Sequence, residues 1–385
     1  MTRLIALDIP ASPELRVAVL DAWNAGHAVL PLDQRMNPAI RRKLAIALGA
    51  DELVSDRGHE TLESVDGSLM PLQHDDALVI ATSGSTGKPK GVVHTHRSAT
   101  AHTLMVAERL GLEAGDHWWM CLPAAHIGGF GVLSRAMQLG SRISFANHVD
   151  ERTLLLALQD GATHTSVVPT LLTRHTFTDW KYVLVGAARS DSLPANAVST
   201  YGLTETFGGV VYNGASLPKV EVRLNNGRIL LRSPTLARTY RHAPLPLVDG
   251  WLDSGDVGVI QTAGISPDAR RREGDLEDQL LRVEGRSDDL IVTGGNKVWP
   301  HVVEQRLREH PLVDDVVVRG VPDAEWGTLV CAWIRPTSSR QPPTIDSLRA
   351  HIKETLPSYC APRLVKVVDA IPRSALGKPL VSELP

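Results

Sequence analysis

The stretch Thr82-Ser83-Gly84-Ser85-Thr86-Gly87-Lys88-Pro89-Lys90-Gly91 holds four hydroxyl side chains, three glycines and two lysines. An apolar run, Ala77-Leu78-Val79-Ile80-Ala81, leads into it and reads as a buried strand. Glycines let backbone N–H groups close on an anion, hydroxyls add donors, and lysines add positive charge. A buried strand that empties into such a loop suits a triphosphate. The Walker A spacing is absent, because four residues do not separate a glycine from a Gly-Lys-Ser/Thr triplet. That removes the P-loop kinase or ATPase reading. A polar surface turn is the plainer reading of any Gly/Ser/Thr cluster; here the donor density, the two lysines and the preceding strand favour phosphate.

The chain has 385 residues, room for two or three domains with their own cores. Its net charge of −3 gives no global electrostatic case for nucleic acid or an anionic membrane. Three cysteines (Cys121, Cys331, Cys360) are odd in number and widely spaced, which suits a reducing cytoplasm and makes neither a disulfide framework nor a zinc site. Met1-Thr2-Arg3-Leu4 opens no signal-peptide apolar region, and no apolar run is long enough to span a bilayer. The expectation is a soluble cytoplasmic protein without membrane insertion.

Residues 1–75 read as helix–strand–helix, with Asn37-Pro38 as cap and first turn of a helix to about Leu48. From 76 to 215, strand candidates (Val79–Ala81, Arg142–Phe145, Ser166–Val168, Tyr182–Val185) alternate with helix candidates (Ser98–Leu110, Gly131–Gln138, Glu151–Leu158). That alternation predicts parallel sheet with crossover helices. Short strands at Val220–Leu224, Arg228–Leu231 and Val257–Ile260 fit a small β-barrel-like subdomain. Residues 261–279 read as a polar surface loop, and a second α/β unit follows Arg286.

Four further segments carry chemistry. In Tyr201-Gly202-Leu203-Thr204-Glu205-Thr206 the aromatic can stack on a purine and Thr204 can donate to phosphate. Glu205 can ligate Mg²⁺, which favours carboxylates combined with phosphate oxygens. The same hexapeptide also reads as a helix cap with an acidic first turn. In Gly250–Gly258, Asp256 sits in a glycine-bounded turn and can accept both hydroxyls of a ribose, or simply close a hairpin. In Glu284–Val298, Gly, Ser and Asp cluster between Arg286 and a strand, which suits a hinge, while Gly294-Gly295 suits a strained turn or the close approach of a ligand; an ordinary hairpin with an exposed arginine is the plainer reading of the segment. Lys378, in Ile371–Lys378, is by itself an ordinary solvated charge.

Taken in order, these five segments closely resemble the core motifs of the adenylate-forming superfamily, which holds acyl- and aryl-CoA ligases, luciferases and peptide-synthetase adenylation domains. The resemblance runs from about Gly26 to Lys378. It implies an α/β fold: a large N-terminal domain of α/β layers with the β-barrel-like subdomain over 1–286, shortened at its N-terminus. A small mobile α+β C-terminal domain, 287–385, would carry the catalytic lysine. It implies two steps, carboxylate adenylation by ATP with pyrophosphate release, then thioester formation with CoA. By the same resemblance Thr82, Ser83, Gly84, Ser85, Thr86, Gly87, Lys88 and Lys90 take the phosphates. Gly186, Ala187, Tyr201 and Gly202 contact the nucleotide, Thr204 takes phosphate, and Glu205 takes Mg²⁺. Asp256 binds ribose, Arg286 ribose or phosphate, and Asp288 is the hinge. Gly294 and Gly295 line the CoA channel, and Lys378 is the adenylation lysine. Val185-Gly186-Ala187-Ala188-Arg189 stands where the family has a glycine-rich turn, with alanines and an arginine replacing part of it. A homodimer is implied as well.

The chemistry is coherent. A carboxylate is a poor nucleophile toward ATP because two anions must meet, so cations must neutralise the phosphates. Lys378 would bridge carboxylate and phosphate, then leave so that the thiol can reach the acyl carbonyl.

Three features narrow the resemblance to the o-succinylbenzoate–CoA ligases of menaquinone (vitamin K2) synthesis, compact actinobacterial forms above all. They are the short length, the segment Leu122–Arg135, and the segments Thr165–Leu172 and Gly208–Gly214. Such a substrate is a dicarboxylate: one carboxyl is activated and the aromatic one must be held. A cation suits that task, since burying an unpaired carboxylate is costly. Arg135 is the expected cation, with His126 at the family's gating position, and Gly129 and Ala188 line the acid site. A helix-capping or surface-paired Arg135 is the alternative. Another aryl- or acyl-CoA ligase, or a stand-alone adenylation module loading a carrier protein, also fits the chain.

Overall fold

Seven strands scattered from residue 4 to residue 240 meet in the first sheet. They are β1 (Leu4–Asp8), β2 (Ala28–Pro31), β3 (Glu52–Ser55), β4 (Gly58–Thr61), β5 (Asp76–Ser83), β6 (Pro89–Thr95) and β16 (Thr239–Tyr240), in the order β16-β6-β5-β2-β1-β3-β4. The computed structural model describes residues 1–63, 67–83, 89–186, 193–262, 279–373, 379–380 and 383–384. Helix α1 (Pro13–Asn24) starts at Ser12, whose side chain accepts from the Leu15 N–H, and α2 (Pro38–Ala47) starts at Asn37 as the sequence indicates. The helix–strand–helix reading of residues 1–75 misses β1 and the β3–β4 hairpin. Leu4-Ile5-Ala6-Leu7 is a short apolar run, and periodicity does not distinguish such a run from buried helix.

Strand β5 pairs antiparallel with β6, Thr82 opposite Lys90 and Ser83 opposite Pro89. The expected parallel surroundings give way here because a connection this short cannot make a crossover. Helix α3 (His96–Leu110) follows at once, its first turn closed by a reciprocal Thr95–Ser98 capping box. Val79 and Val93 bury their side chains with Leu4 and Leu30 in one core cluster.

The second sheet holds β7 (His117–Met120), β8 (Arg142–Phe145), β9 (His164–Val167), β10 (Tyr182–Gly186), β11 (Ala197–Leu203), β12 (Gly208–Tyr212) and β13 (Ala215–Ser216). Its order is β13-β12-β11-β10-β9-β7-β8, parallel from β8 to β11 and antiparallel beyond. The alternation in the sequence is realised in this sheet, with α4 (Ile127–Leu139), α5 (Glu151–Gln159) and α6 (Pro169–Leu172) between strands. Helix α4 begins at Ile127, ahead of the expected Gly131. Gly128 and Gly129 are poor helix formers and hide the first turn; burial of Phe130, Val132 and Leu133 holds it.

A five-stranded sheet takes β14 (Glu221–Asn225), β15 (Arg228–Arg232), β17 (Leu247–Val248), β18 (Trp251–Thr262) and β19 (Gln279–Arg286), in the order β14-β15-β18-β17 with β19 on β18. Then come the hairpin β20 (Ile291–Thr293) and β21 (Asn296–Val298), helices α7 (Pro300–Arg308) and α8 (Ile345–Lys353), and the sheet β22 (Val313–Asp323), β23 (Gly327–Pro336) and β24 (Leu364–Val367). Val303, Leu307, Val316, Val330, Leu348 and Ile352 form the core of this last part. By compactness the chain divides into two units. The first is Met1–Arg223 with Leu230–Asp253 and Ile260–Leu281; the second is Leu224–Ile229 with Ser254–Val259 and Arg282–Pro385. Most of the expected loop at 261–279 lies outside the described residues. Among those described, no helix is long and apolar enough to cross a membrane.

Candidate active site

In the first unit, β11 runs into a single turn of 3₁₀ helix, Thr204–Thr206. Thr206 is buried; its hydroxyl accepts from the Leu203 N–H at 2.8 Å and donates to the Gly208 carbonyl at 2.7 Å. The chain then reverses into β12. A Cβ at Gly202 would stand 1.9 Å from the Gly208 oxygen, so only glycine admits this crossing. Tyr201 is half-buried where the β11–β12 register shifts, and Gly186 ends the neighbouring β10.

Two buried histidines support the turn from below. His94 donates through Nε2 to the Thr204 carbonyl at 2.7 Å and accepts at Nδ1 from Ser98. His102 donates through Nε2 to the Gly209 carbonyl at 2.9 Å. Burial pushes the His94 imidazole down to about 4. Burial, with the nearby Arg135 charge, pushes His102 to about 3, so both are neutral donors. The Phe207 ring packs against both imidazoles. Neither histidine was singled out in the sequence; the available signal was a histidine inside the apolar strand Val92-Val93-His94.

The Glu205 carboxylate accepts from the Tyr240 hydroxyl at 2.8 Å through Oε1, and the Lys90 ammonium lies 5.3 Å from the centre of the Tyr240 ring. Among the described residues no group of three or more His, Cys, Asp or Glu side chains could hold a metal unaided. The other Glu205 carboxylate oxygen, without a partner among the described residues, fits a Mg²⁺ that arrives with a polyphosphate and keeps its other ligands from phosphate and water. Thr82 and Lys90 face each other across β5–β6. Gly84, Ser85, Thr86, Gly87, Lys88, Ala187, Ala188 and Lys378 lie outside the described residues, as does the Ser83 side chain.

Helix α4 carries the acid-site candidates. Arg135 is 3% exposed, so it does not pair at the surface. Its guanidinium lies 4.8 Å from the centre of the Trp118 ring, and its Nε has no hydrogen-bond partner. No carboxylate pairs with it among the described residues; burial lowers its pKa, and the only electrostatic support comes from Tyr212. Burying a cation in this way is costly without a counter-charge. His126, the residue before α4, has other partners: its Nε2 lies 2.9 Å from Arg35 and 3.2 Å from Asp33. Arg35 and Asp33 are themselves paired at 2.7 Å. The helical period sets positions 126 and 135 about 180° apart around the axis, so the two residues meet different surroundings. Gly129 packs on the backbone of Leu122 and Pro123.

In the second unit, Asp256 is buried and its Oδ1 lies 3.5 Å from Arg286 Nη1. Arg286 also donates to the Ser254 carbonyl at 3.0 Å, and Ser287 donates to the Gly255 carbonyl at 2.9 Å. A Cβ at Gly255, where φ is +75°, would press on the Arg286 guanidinium at 2.8 Å. The two distant motifs are therefore one stitched cluster. Asp288 lies exposed in the short 3₁₀ helix Ser287–Asp289. Gly294 and Gly295 form the two-residue turn between β20 and β21, with φ of +53° and +80°, and Trp326 packs on Gly294. The hairpin reading of these glycines is thus realised.

A family model described as AMP-binding enzyme matches residues 45–241, and one described as AMP-binding enzyme C-terminal domain matches residues 302–378. The probable 2-succinylbenzoate–CoA ligase of Mycobacterium tuberculosis (strain H37Rv) is 34% identical over 345 residues, 82% of this chain and 86% of that protein. The 2-succinylbenzoate–CoA ligase of Listeria monocytogenes serovar 1/2a is 28% identical over 335 residues, 78% of this chain and 68% of its own. Among solved structures, o-succinylbenzoate CoA synthetase from Bacillus subtilis with its acyl-adenylate intermediate superposes with a TM-score of 0.82 at 23% identity, over 99% of this chain and 87% of that one. The same enzyme with ATP and magnesium ion gives 0.81 at 22% identity, over 99% and 89%. These superpositions show the shared fold.

Proposed function

Because this chain belongs to the AMP-binding enzyme family, we propose that it is an ATP-dependent acid–CoA ligase acting on 2-succinylbenzoate in menaquinone synthesis. It adenylates a carboxylate with release of pyrophosphate and then transfers the acyl group to CoA. The names of its relatives support the substrate. The structural observation that carries it is Arg135, a buried cation without a carboxylate partner among the described residues. A monoacid gives such a group nothing to bind; the second carboxylate of a keto-diacid does.

Each step needs a particular group. Glu205 is the ligand for Mg²⁺, whose charge would relieve the repulsion between carboxylate and triphosphate. Lys90 and the loop 82–88 hold the phosphates, with Thr204 donating to them. Tyr201 stacks on adenine beside Gly202, Gly186 and Ala187. Asp256 accepts from the ribose, and its carboxylate is kept in place by Arg286. Lys378 bridges carboxylate and phosphate during adenylation. We assign residues 1–286 and 287–385 as the two domains, with Asp288 as the hinge and Gly294-Gly295 on the path of the thiol. His126 gates the acid site, which Gly129 and Ala188 line. A cytoplasmic homodimer completes the reading.

The test is pyrophosphate release with ATP and Mg²⁺, with and without CoA, on o-succinylbenzoate, benzoate and octanoate. Release with o-succinylbenzoate, followed by CoA-dependent thioester formation, is expected. Arg135→Ala should cut kcat/KM for o-succinylbenzoate by about ten- to hundred-fold, the worth of a charged hydrogen bond. Release with benzoate or octanoate instead keeps the ligase chemistry and discards both the substrate and the role of Arg135.

A further inference from the structure

Tyr240 touches two charged groups of the site at once, and we infer that it is a positioning residue that aims the Glu205 carboxylate and keeps Lys90 from neutralising it. The inference rests on the ligase reading above. The Tyr240 hydroxyl donates to Glu205 Oε1 at 2.8 Å, while Lys90 Nζ lies 5.3 Å from the ring centre. Burial, and after it the Glu205 charge, push the phenol's pKa up.

A glutamate side chain has three rotatable bonds, and fixing it on ligand arrival costs entropy. The phenol removes that freedom beforehand. With Oε1 engaged, Oε2 has no protein donor among the described residues and is left for a metal. Lys90 belongs to the phosphate loop, and a direct Lys90–Glu205 ion pair would cancel both charges. No such pair forms among the described residues; the ammonium rests on the ring and the carboxylate on the hydroxyl. One aromatic side chain thus serves a cation meant for phosphate and an anion meant for metal.

Strand pairing fixes this arrangement. Tyr240 lies opposite Val92 and Thr239 opposite Val93 on β6, two residues from Lys90 on the same strand. The Ala237 N–H donates to the Glu205 carbonyl at 2.8 Å, tying the 3₁₀ turn to the approach of β16.

The experiment measures ATP affinity by isothermal titration with Mn²⁺ and with EDTA, alongside the Mg²⁺ dependence of pyrophosphate release. Tyr240→Phe keeps the ring and loses the hydroxyl. It should cut the gain in ATP affinity that Mn²⁺ provides by about tenfold, and raise half-saturating Mg²⁺ similarly, as expected for the partner of a metal ligand. The KM for the acid should not move. Tyr240→Leu should in addition weaken ATP binding in EDTA, because Lys90 loses its seat. In a Glu205→Gln background, Tyr240→Phe should add nothing.

Wild-type metal dependence in Tyr240→Phe, or an undiminished effect in Glu205→Gln, overturns the assignment. A wild-type chain that binds Mn²⁺ with ATP yet releases no pyrophosphate with any acid overturns the ligase reading and leaves Tyr240 tested by titration alone. A wild-type chain whose ATP affinity ignores Mn²⁺ overturns the role of Tyr240.

Discussion

Two inward-pointing arginines of the first unit are treated in opposite ways. Arg238 grips Asp76 with both ends of its fork, Nε to Oδ1 at 2.7 Å and Nη2 to Oδ2 at 2.6 Å, and Asp76 is 1% exposed. Arg135 is more deeply buried, 3% exposed where the Arg238 side chain is 19%, and has an aromatic face, a tyrosine nearby and no carboxylate among the described residues. Arg238 joins β16 to the start of β5, so its charge is spent on architecture. Arg135 leaves its charge unanswered inside the protein, and the missing anion is what a ligand can supply. The pair thus sets a cation whose counter-ion the fold provides against one whose counter-ion it does not.

The comparison is open to attack from both sides. Arg238→Ala leaves the Asp76 carboxylate buried without its counter-ion, held among the described residues only by the Gln73 N–H, and should destabilise the protein by about 3–5 kcal/mol in a urea titration. A loss under about 1 kcal/mol would mean that the pair is no more than a surface contact. Arg135→Met is the counterpart. Since no partner is stranded, stability should hold or rise, while o-succinylbenzoate turnover drops. A fall in stability as large as that of Arg238→Ala would make Arg135 architectural too.

A further effect lies in pH. His94 and His102 ionise in the fold at about 4 and about 3, below the ordinary 6.5. Below 6.5 the unfolded chain takes up protons that the folded chain refuses, so stability is complete above that value and declines as the pH falls toward 4. Urea midpoints at pH 7, 6 and 5 should descend in that order. Arg135→Met removes one of the causes that hold His102 down, so its descent should be shallower where the series is carried on from about pH 5 toward 3. An unchanged slope would show that burial alone sets that imidazole.

What the sequence discloses depends on how far apart the partners lie. The loop at 82–91 and the Tyr201–Thr206 hexapeptide stand out in the sequence because residue type and local spacing alone suggest a chemistry. Asp256 and Arg286 were read as separate signals, and folding made them neighbours. The supports were invisible: His94 meets Thr204 across 110 positions, His126 meets Asp33 across 93, and Tyr240 meets Glu205 across 35. Each is a common residue in an ordinary strand or loop until the sheets assemble. The β5–β6 pairing was missed for a related reason, since glycines and hydroxyls advertise a ligand loop more loudly than a hairpin. The start of α4 was hidden by glycines tolerated through packing.

The pairing of β16 with β6 also sets a timetable. While the chain is being made, β6 has β5 on one side and an open edge on the other until residues 239 and 240 have left the ribosome. Until then Val92 and Val93 present unpaired backbone of the kind that recruits other strands. The segment that shuts this edge also delivers Arg238 to Asp76, Tyr240 to Glu205 and Arg241 to the Leu48 carbonyl. A nascent chain stopped short of residue 238 therefore lacks both the closing strand and the hydroxyl that holds Glu205, and the two arrive in one short segment.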